Sequence, residues 1–207
     1  MVIAIDGPAG TGKSTVARAV AARLGFTFLD TGAMYRAVAL RARETGEPAA
    51  EIAARAQIEV GDRVRIDGRD VTDAIRTPEV TAATSHVAAD PLVREALVRK
   101  QQAIVADGSW VAEGRDIGSV VAPDAAVKVF LTAAPEVRAR RRAEQMGADP
   151  ATVLQEQAER DARDSSARRA VFEPPHDAVP IDTTALSLDE VIEQIATLVV
   201  EAREIGA

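Results

Sequence analysis

A chain of 207 residues that is 47% hydrophobic can bury one substantial core, and without cysteine it forms no disulfide, thiolate metal site or cysteine nucleophile. A formal net charge of −7 and 3% aromatic residues argue against a general nucleic-acid binder, which usually carries a basic surplus and stacking side chains. No apolar run approaches the length of a membrane span, and the first apolar stretch begins at Val2, so a soluble cytoplasmic protein is expected.

Val2 to Ile5 is a short apolar run of the kind that forms a buried parallel strand. It breaks at Asp6-Gly7-Pro8, and an Ala-rich helical pattern runs from near Ser14 to Leu24. Between them stand Gly7, Pro8, Ala9, Gly10, Thr11, Gly12, Lys13, Ser14 and Thr15, a phosphate-loop pattern in the strand–loop–helix context it requires. Such a loop turns its N–H groups toward one anion, which sits on the positive end of the helix. Lys13 can reach the β- and γ-phosphates of ATP, and the Ser14 hydroxyl can join the shell of a Mg2+ ion. The chain otherwise prefers arginine, having only Lys13, Lys100 and Lys128 as lysines, yet a flexible point charge is kept here. The loop is read as a nucleoside-triphosphate site.

Gly25 suits a helix C-cap, and Phe26 to Leu29 reads as a second strand. Asp30 to Arg36 then opens a helix running toward Arg43. In an open α/β sheet, ligands bind beyond the carboxyl ends of the strands, so this stretch and the phosphate loop share an edge. Arg36 lies about one turn inside its helix, where it either meets a second phosphate or is simply solvated. Residues 45 to 77 change character: Glu59 to Val71 alternates polar and apolar with Gly-containing turns, which predicts small antiparallel strands in an inserted segment.

Helical pattern resumes from Thr77-Pro78 to Ala89, and Asp90-Pro91 starts another helix to about Ala106. Trp110 to Ala112 is a third strand ending in Glu113-Gly114-Arg115-Asp116-Ile117-Gly118, where loop residues more often do chemistry than packing. Val127 to Leu131 is a fourth, buried strand. Pro135 starts an arginine-rich helix, with Arg138, Arg140, Arg141 and Arg142, and a second helix runs from Ala151 to about Asp164. Arg160 and Asp164 are four residues apart and share a face. This pair of helices is either a mixed-charge solvated hairpin or a lid carrying arginines onto the transferred phosphoryl group. Ala178 to Ile181 forms the last strand, and Ser187-Leu188-Asp189-Glu190 opens a C-terminal helix like a capping box.

The phosphate loop, Asp30-Thr31-Gly32-Ala33-Met34-Tyr35-Arg36 and Glu113-Gly114-Arg115-Asp116-Ile117-Gly118 together closely resemble the bacterial cytidylate kinases. So do Ile75-Arg76-Thr77, Val93-Arg94-Glu95-Ala96-Leu97, Pro123-Asp124-Ala125 and Arg160-Asp161-Ala162-Arg163-Asp164, in order over nearly the whole chain. The resemblance implies an α/β nucleoside-monophosphate kinase fold: a five-stranded parallel sheet flanked by helices, with an acceptor-binding insertion at 45–77 and a short helical lid at 138–165. The remaining stretches, 1–44, 78–137 and 166–207, are then the core.

The implied reaction moves the γ-phosphoryl group of ATP to CMP or dCMP, with Mg2+; a monomer is expected because nothing in the sequence suggests a large apolar interface. By the same resemblance Arg36, Arg115 and Arg160 hold the acceptor phosphate, and Ser85, Arg94 and Asp116 read the cytosine edge. Asp164, with Arg160, contacts the sugar; Thr31 stands where some relatives carry Ser; Arg141 is a lid arginine facing the ATP phosphates. Ser165 to Phe172 leaves open whether Arg168 or Arg169 takes a further lid-proximal role. Cytosine presents an N4 donor beside N3 and O2 acceptors, so a carboxylate with Arg and Ser suits it, whereas uracil would set an acceptor against that carboxylate. Rival readings are a kinase of another small acceptor, a non-catalytic nucleotide switch and, disfavoured by the acidic balance, a nucleic-acid-binding ATPase.

Overall fold

The computed structural model describes residues 1–166 and 174–205, with the side chains of all but 160, 163–166 and 205. Arg168 and Arg169 lie outside the described residues, as do the side chains of Arg160 and Asp164. In chain order the elements begin β1 (Val2–Asp6), α1 (Lys13–Leu24), β2 (Thr27–Asp30), α2 (Thr31–Thr45), α3 (Ala49–Arg55), β3 (Ile58–Val60), β4 (Val64–Ile66) and β5 (Arg69–Asp70). A 3-10 turn (Ala74–Arg76), α4 (Pro78–Val87), α5 (Pro91–Val105), β6 (Trp110–Glu113) and a π turn (Ile117–Val121) follow. The last elements are β7 (Val127–Thr132), α6 (Pro135–Met146), α7 (Pro150–Ser166), β8 (Val179–Asp182) and α8 (Leu188–Ile205).

The five-stranded parallel sheet has the order β2-β6-β1-β7-β8. Its centre is β1, whose Ile3 pairs with Val111 on one side and Val127 on the other. Being covered on both faces, β1 is apolar throughout until Asp6, as a central parallel strand must be. The chain divides into two compact units, Met1–Phe28 with Gly108–Ala207, and Leu29–Asp107.

In the first unit Ile3, Ile5, Val111, Val129 and Leu131 of the sheet meet Val16 and Val20 of α1 and Val191, Ile195 and Val199 of α8. Each such side chain contributes on the order of 1.5–3 kcal/mol relative to exposure. That burial anchors β1 and β6, so the loops at their carboxyl ends start from fixed points. The expected capping box is formed: Ser187 N donates to Glu190 Oε2 at 2.8 Å and Glu190 N to Ser187 Oγ at 3.3 Å. The second strand starts at Thr27 because Phe26 N is still engaged with Ala21 O (2.9 Å), closing α1 behind Gly25.

In the second unit β3, β4 and β5 form the expected small antiparallel sheet. The β4–β5 turn, Asp67-Gly68, has positive φ at both residues (51° and 78°), the geometry that suits the twist of a tight hairpin. Asp30, Thr77 and Asp90 cap α2, α4 and α5, each accepting a hydrogen bond from a first-turn N–H. The seven-residue α3 lies in the 45–77 insertion ahead of the alternating Glu59–Val71 stretch; it is short and opens on Pro48 with no side-chain cap. Among the described residues no helix is long and apolar enough to cross a membrane.

Candidate active site

The loop after β1 needs glycine at its first turn. Gly7 has φ 143°, and a Cβ there would sit 2.1 Å from Leu131 O, so the loop passes hard against the end of β7. From this point its carbonyl oxygens are held one after another. Arg115 Nη1 donates to Gly7 O at 2.7 Å, while Lys13 Nζ (2.7 Å) and Thr11 Oγ1 (3.1 Å) both reach Pro8 O. Arg138 Nη1 donates to Ala9 O at 3.0 Å, and Thr183 Oγ1 lies 3.2 Å from Thr11 O. A trans peptide sets each following N–H on the side opposite its C=O. Fixing these carbonyls therefore fixes where the N–H groups of Gly10 and Gly12 point. Gly12 is the left-handed residue before α1, and Val16 N closes the first turn onto its carbonyl at 2.9 Å.

At the start of α1 the Ser14 hydroxyl donates to Glu113 Oε1 at the end of β6. Glu113 is buried. This hydroxyl–carboxylate pair beside a phosphate loop offers the hard oxygen donors that Mg2+ takes, with the remaining ligands supplied by nucleotide phosphates and water. The residues present fit that ion.

Asp6, the last residue of β1, is buried and accepts from Ile117 N (2.9 Å) and Gly118 N (2.8 Å). It thereby pins the π turn that follows Asp116, a kind of helical irregularity frequent at functional sites. Burial pushes the Asp6 carboxyl up to about 6; nearby Asp116 adds to this, and the two amides and Lys13 oppose it. Asp116 is itself buried, with Val120 N on its backbone carbonyl at 2.9 Å.

The remaining predicted residues are placed as follows. Arg141 donates to Thr183, through Nη1 to Oγ1 (2.9 Å) and Nη2 to the carbonyl (2.6 Å), and Thr183 in turn holds the phosphate loop. The helical positions of Arg160 and Asp164 are one turn apart on α7. In the second unit Arg36 pairs with Asp30 through Nη2 and Oδ2 at 2.8 Å, while Asp30 Oδ1 accepts from Ala33 N and caps α2. A Cβ on Gly32 would lie 3.0 Å from Arg36 Nη1, so the missing side chain leaves room for the guanidinium. Thr31 is buried in the first turn of α2, and Ser85 and Arg94 are half-buried on α4 and α5.

A family model described as cytidylate kinase matches residues 3–201. The chain belongs to the cytidylate kinase family. Among curated relatives, the cytidylate kinase of Solibacter usitatus is 48% identical, covering 96% of this chain and 92% of that protein. That of Pelotomaculum thermopropionicum is 45% identical, covering 97% and 96%. A bifunctional pantoate ligase/cytidylate kinase from Synechococcus sp. strain WH7803 is 46% identical over 95% of this chain and 44% of its own length. Of solved structures, an uncharacterized protein from Eubacterium ventriosum shares the fold at a TM-score of 0.56 and 14% identity, covering 97% of this chain and 98% of that one.

The motif residues of this cytidylate kinase family member do not exhaust its site. Asp6, Glu113, Arg138 and Thr183 were not among the expected site residues. Glu113 and Asp6 carried a sequence signal, since each ends a parallel strand beside a glycine of the ligand edge. Arg138 and Thr183 reach the loop through backbone carbonyls far away in the chain.

Proposed function

We propose that the protein transfers the γ-phosphoryl group of ATP to CMP or dCMP, giving ADP and CDP or dCDP. The observation that carries this is a formed phosphate loop, with Lys13 and the Ser14–Glu113 pair at its end, in a chain that matches the cytidylate kinase family over residues 3–201. An oxygen of the acceptor phosphate attacks the γ-phosphorus as the bond to the bridging β,γ-oxygen breaks. The acceptor oxygen is already charged, so no side-chain base is needed, and catalysis is positioning and neutralisation.

The loop amides and Lys13 bind the donor phosphates, with Lys13 leaving Pro8 O for them; Thr11 Oγ1 then remains on that carbonyl. Mg2+, when bound at Ser14, neutralises charge on the donor phosphates. Arg36, Arg115 and Arg160 are assigned to the acceptor phosphate, Asp164 to the sugar, and Arg141 to the donor side. Asp116 accepts the N4 hydrogen of cytosine, with Arg94 and Ser85 donating to N3 and O2. Residues 45–77 are assigned as the acceptor insertion and 138–165 as the lid. A cytoplasmic setting and a monomer are proposed.

The deciding test is a coupled ADP-release assay with ATP, Mg2+ and each of CMP, dCMP, UMP, AMP and shikimate. Strong turnover with CMP and dCMP and weak turnover with UMP is expected. Turnover with another acceptor would overturn the base-reading assignment. Turnover with none would overturn the reaction.

A further inference from the structure

The charge-rich hairpin of α6 and α7 hides one arginine. Arg138 is buried (6% exposed), unlike Arg140 two residues on, which is exposed on the same helix. Its guanidinium bridges two partners: Nη1 donates to Ala9 O of the phosphate loop at 3.0 Å, and Nη2 pairs with Asp161 Oδ2 of α7 at 2.8 Å. The side chain of Asp161 is only 13% exposed. The same corner closes on the loop a second time, since a Cβ on Gly10 would lie 2.8 Å from Gln157 Nε2 and 3.0 Å from Arg138 Cβ.

Stability alone explains this arrangement poorly. Ala139, Ala143 and Val153 already hold the two helices together. A buried ion pair offsets its own desolvation only partly and is often no better than an apolar pair of similar size. Here Arg138 Nε stays buried with no hydrogen-bond partner among the described residues, as does Gln157 Oε1 beside it. What the pair does supply is geometry. One planar fork orients the Ala9–Gly10 peptide and fixes α7 at Asp161, the residue next to the position of Arg160.

We propose that Arg138 is a positioning residue tying the phosphate loop to α7, so that the donor loop and the α7 segment carrying Arg160 and Asp164 hold their working shapes together. The inference rests on the phosphoryl-transfer reading for the role of that segment; the tie itself is read from the contacts. Loosening Asp161 then reaches the donor site, although Asp161 is assigned no nucleotide contact.

The test compares Asp161→Asn, Arg138→Gln, Arg138→Lys and the double variant Arg138→Gln/Asp161→Asn with wild type, using Arg140→Gln as a charge control. ADP affinity is measured by calorimetry without acceptor, alongside KM for ATP and CMP. Asp161→Asn and Arg138→Gln are each expected to weaken ADP binding about fivefold, with the double variant no weaker than Arg138→Gln, the non-additivity of groups acting through one contact. Arg138→Lys, which keeps one donor but not the fork, falls between, and Arg140→Gln binds as wild type does. In turnover Asp161→Asn raises KM for ATP and CMP together.

An Asp161→Asn protein that melts earlier yet binds ADP within twofold of wild type overturns the tie and leaves a merely structural pair. Should Arg138→Gln not fold, Asp161→Asn decides alone, since it nearly keeps the side chain's shape. Wild-type protein that binds ADP but shows no CMP-dependent turnover would instead overturn the phosphoryl-transfer reading. The two failures are therefore told apart.

Discussion

Ser14 Oγ donates its hydrogen bond to Glu113 Oε1, joining the first turn of α1 to the last residue of β6 across 99 positions of sequence. The hydroxyl assigned to Mg2+ is therefore aimed by a buried carboxylate on a neighbouring strand. Glu113→Gln keeps an acceptor for the hydroxyl but removes the charge. The Mg2+ concentration needed for half-maximal turnover is expected to rise roughly 10-fold or more, as for other groups that orient a metal's ligands. A Mg2+ titration at fixed ATP measures this. An unshifted curve would count against Glu113.

Lys13→Ala separates chemistry from fold. Lys13 shares Pro8 O with Thr11 Oγ1, so the loop keeps one donor on that carbonyl after the change. Turnover is expected to fall by about 100-fold or more, the scale for removing a preorganised charge from a developing one. The melting temperature should hardly move. Wild-type turnover in this variant would remove the donor-site assignment.

Asp6 gives stability an acid-side slope of unusual sign. Its folded carboxyl is pushed up from an ordinary value of 3.8 to about 6, so between those pH values the folded protein binds more protons than the unfolded chain. Stability attributable to this group is then highest below the lower value and declines as pH rises through the higher one, by ~3 kcal/mol in all. Comparing Asp6→Asn with wild type by thermal melts from pH 4 to 7 isolates that contribution. The wild-type advantage should shrink steadily across the window, and a difference independent of pH would refute the assignment.

The proposed base reading puts specificity at Asp116. Replacing it with Ala removes the only group proposed to distinguish the amino donor of cytosine from the carbonyl of uracil. KM for CMP is expected to rise by roughly tenfold or more while KM for ATP stays within about twofold, and the preference for CMP over UMP should collapse. Equal losses for ATP and CMP would mean that Asp116 supports the fold rather than the base.

The phosphate loop was legible because its information is local: glycines, a lysine and a serine at fixed spacing between a strand and a helix. The same holds for the Ser187 capping box and the Asp67-Gly68 hairpin, each settled within four or five residues. The contacts of Asp6, Arg138 and Thr183 were illegible for the opposite reason. Their partners are backbone amides and carbonyls 111, 129 and 172 positions away, and a backbone group has no letter in the sequence. Arg138 reads as one of several helical arginines until burial distinguishes it. Arg141, expected on the donor phosphates, is placed against Thr183 through contacts that no local pattern encodes.

The carbonyls of the phosphate loop are held from residues 115, 138 and 183, so its shape belongs to residues far downstream as much as to the motif itself. During synthesis the motif emerges before all three. Until the segment around Thr183 has left the ribosome, β8 cannot join the sheet and Thr11 O has no partner there. The loop is thus fully braced only once residues far downstream have been made, however early the motif itself appears.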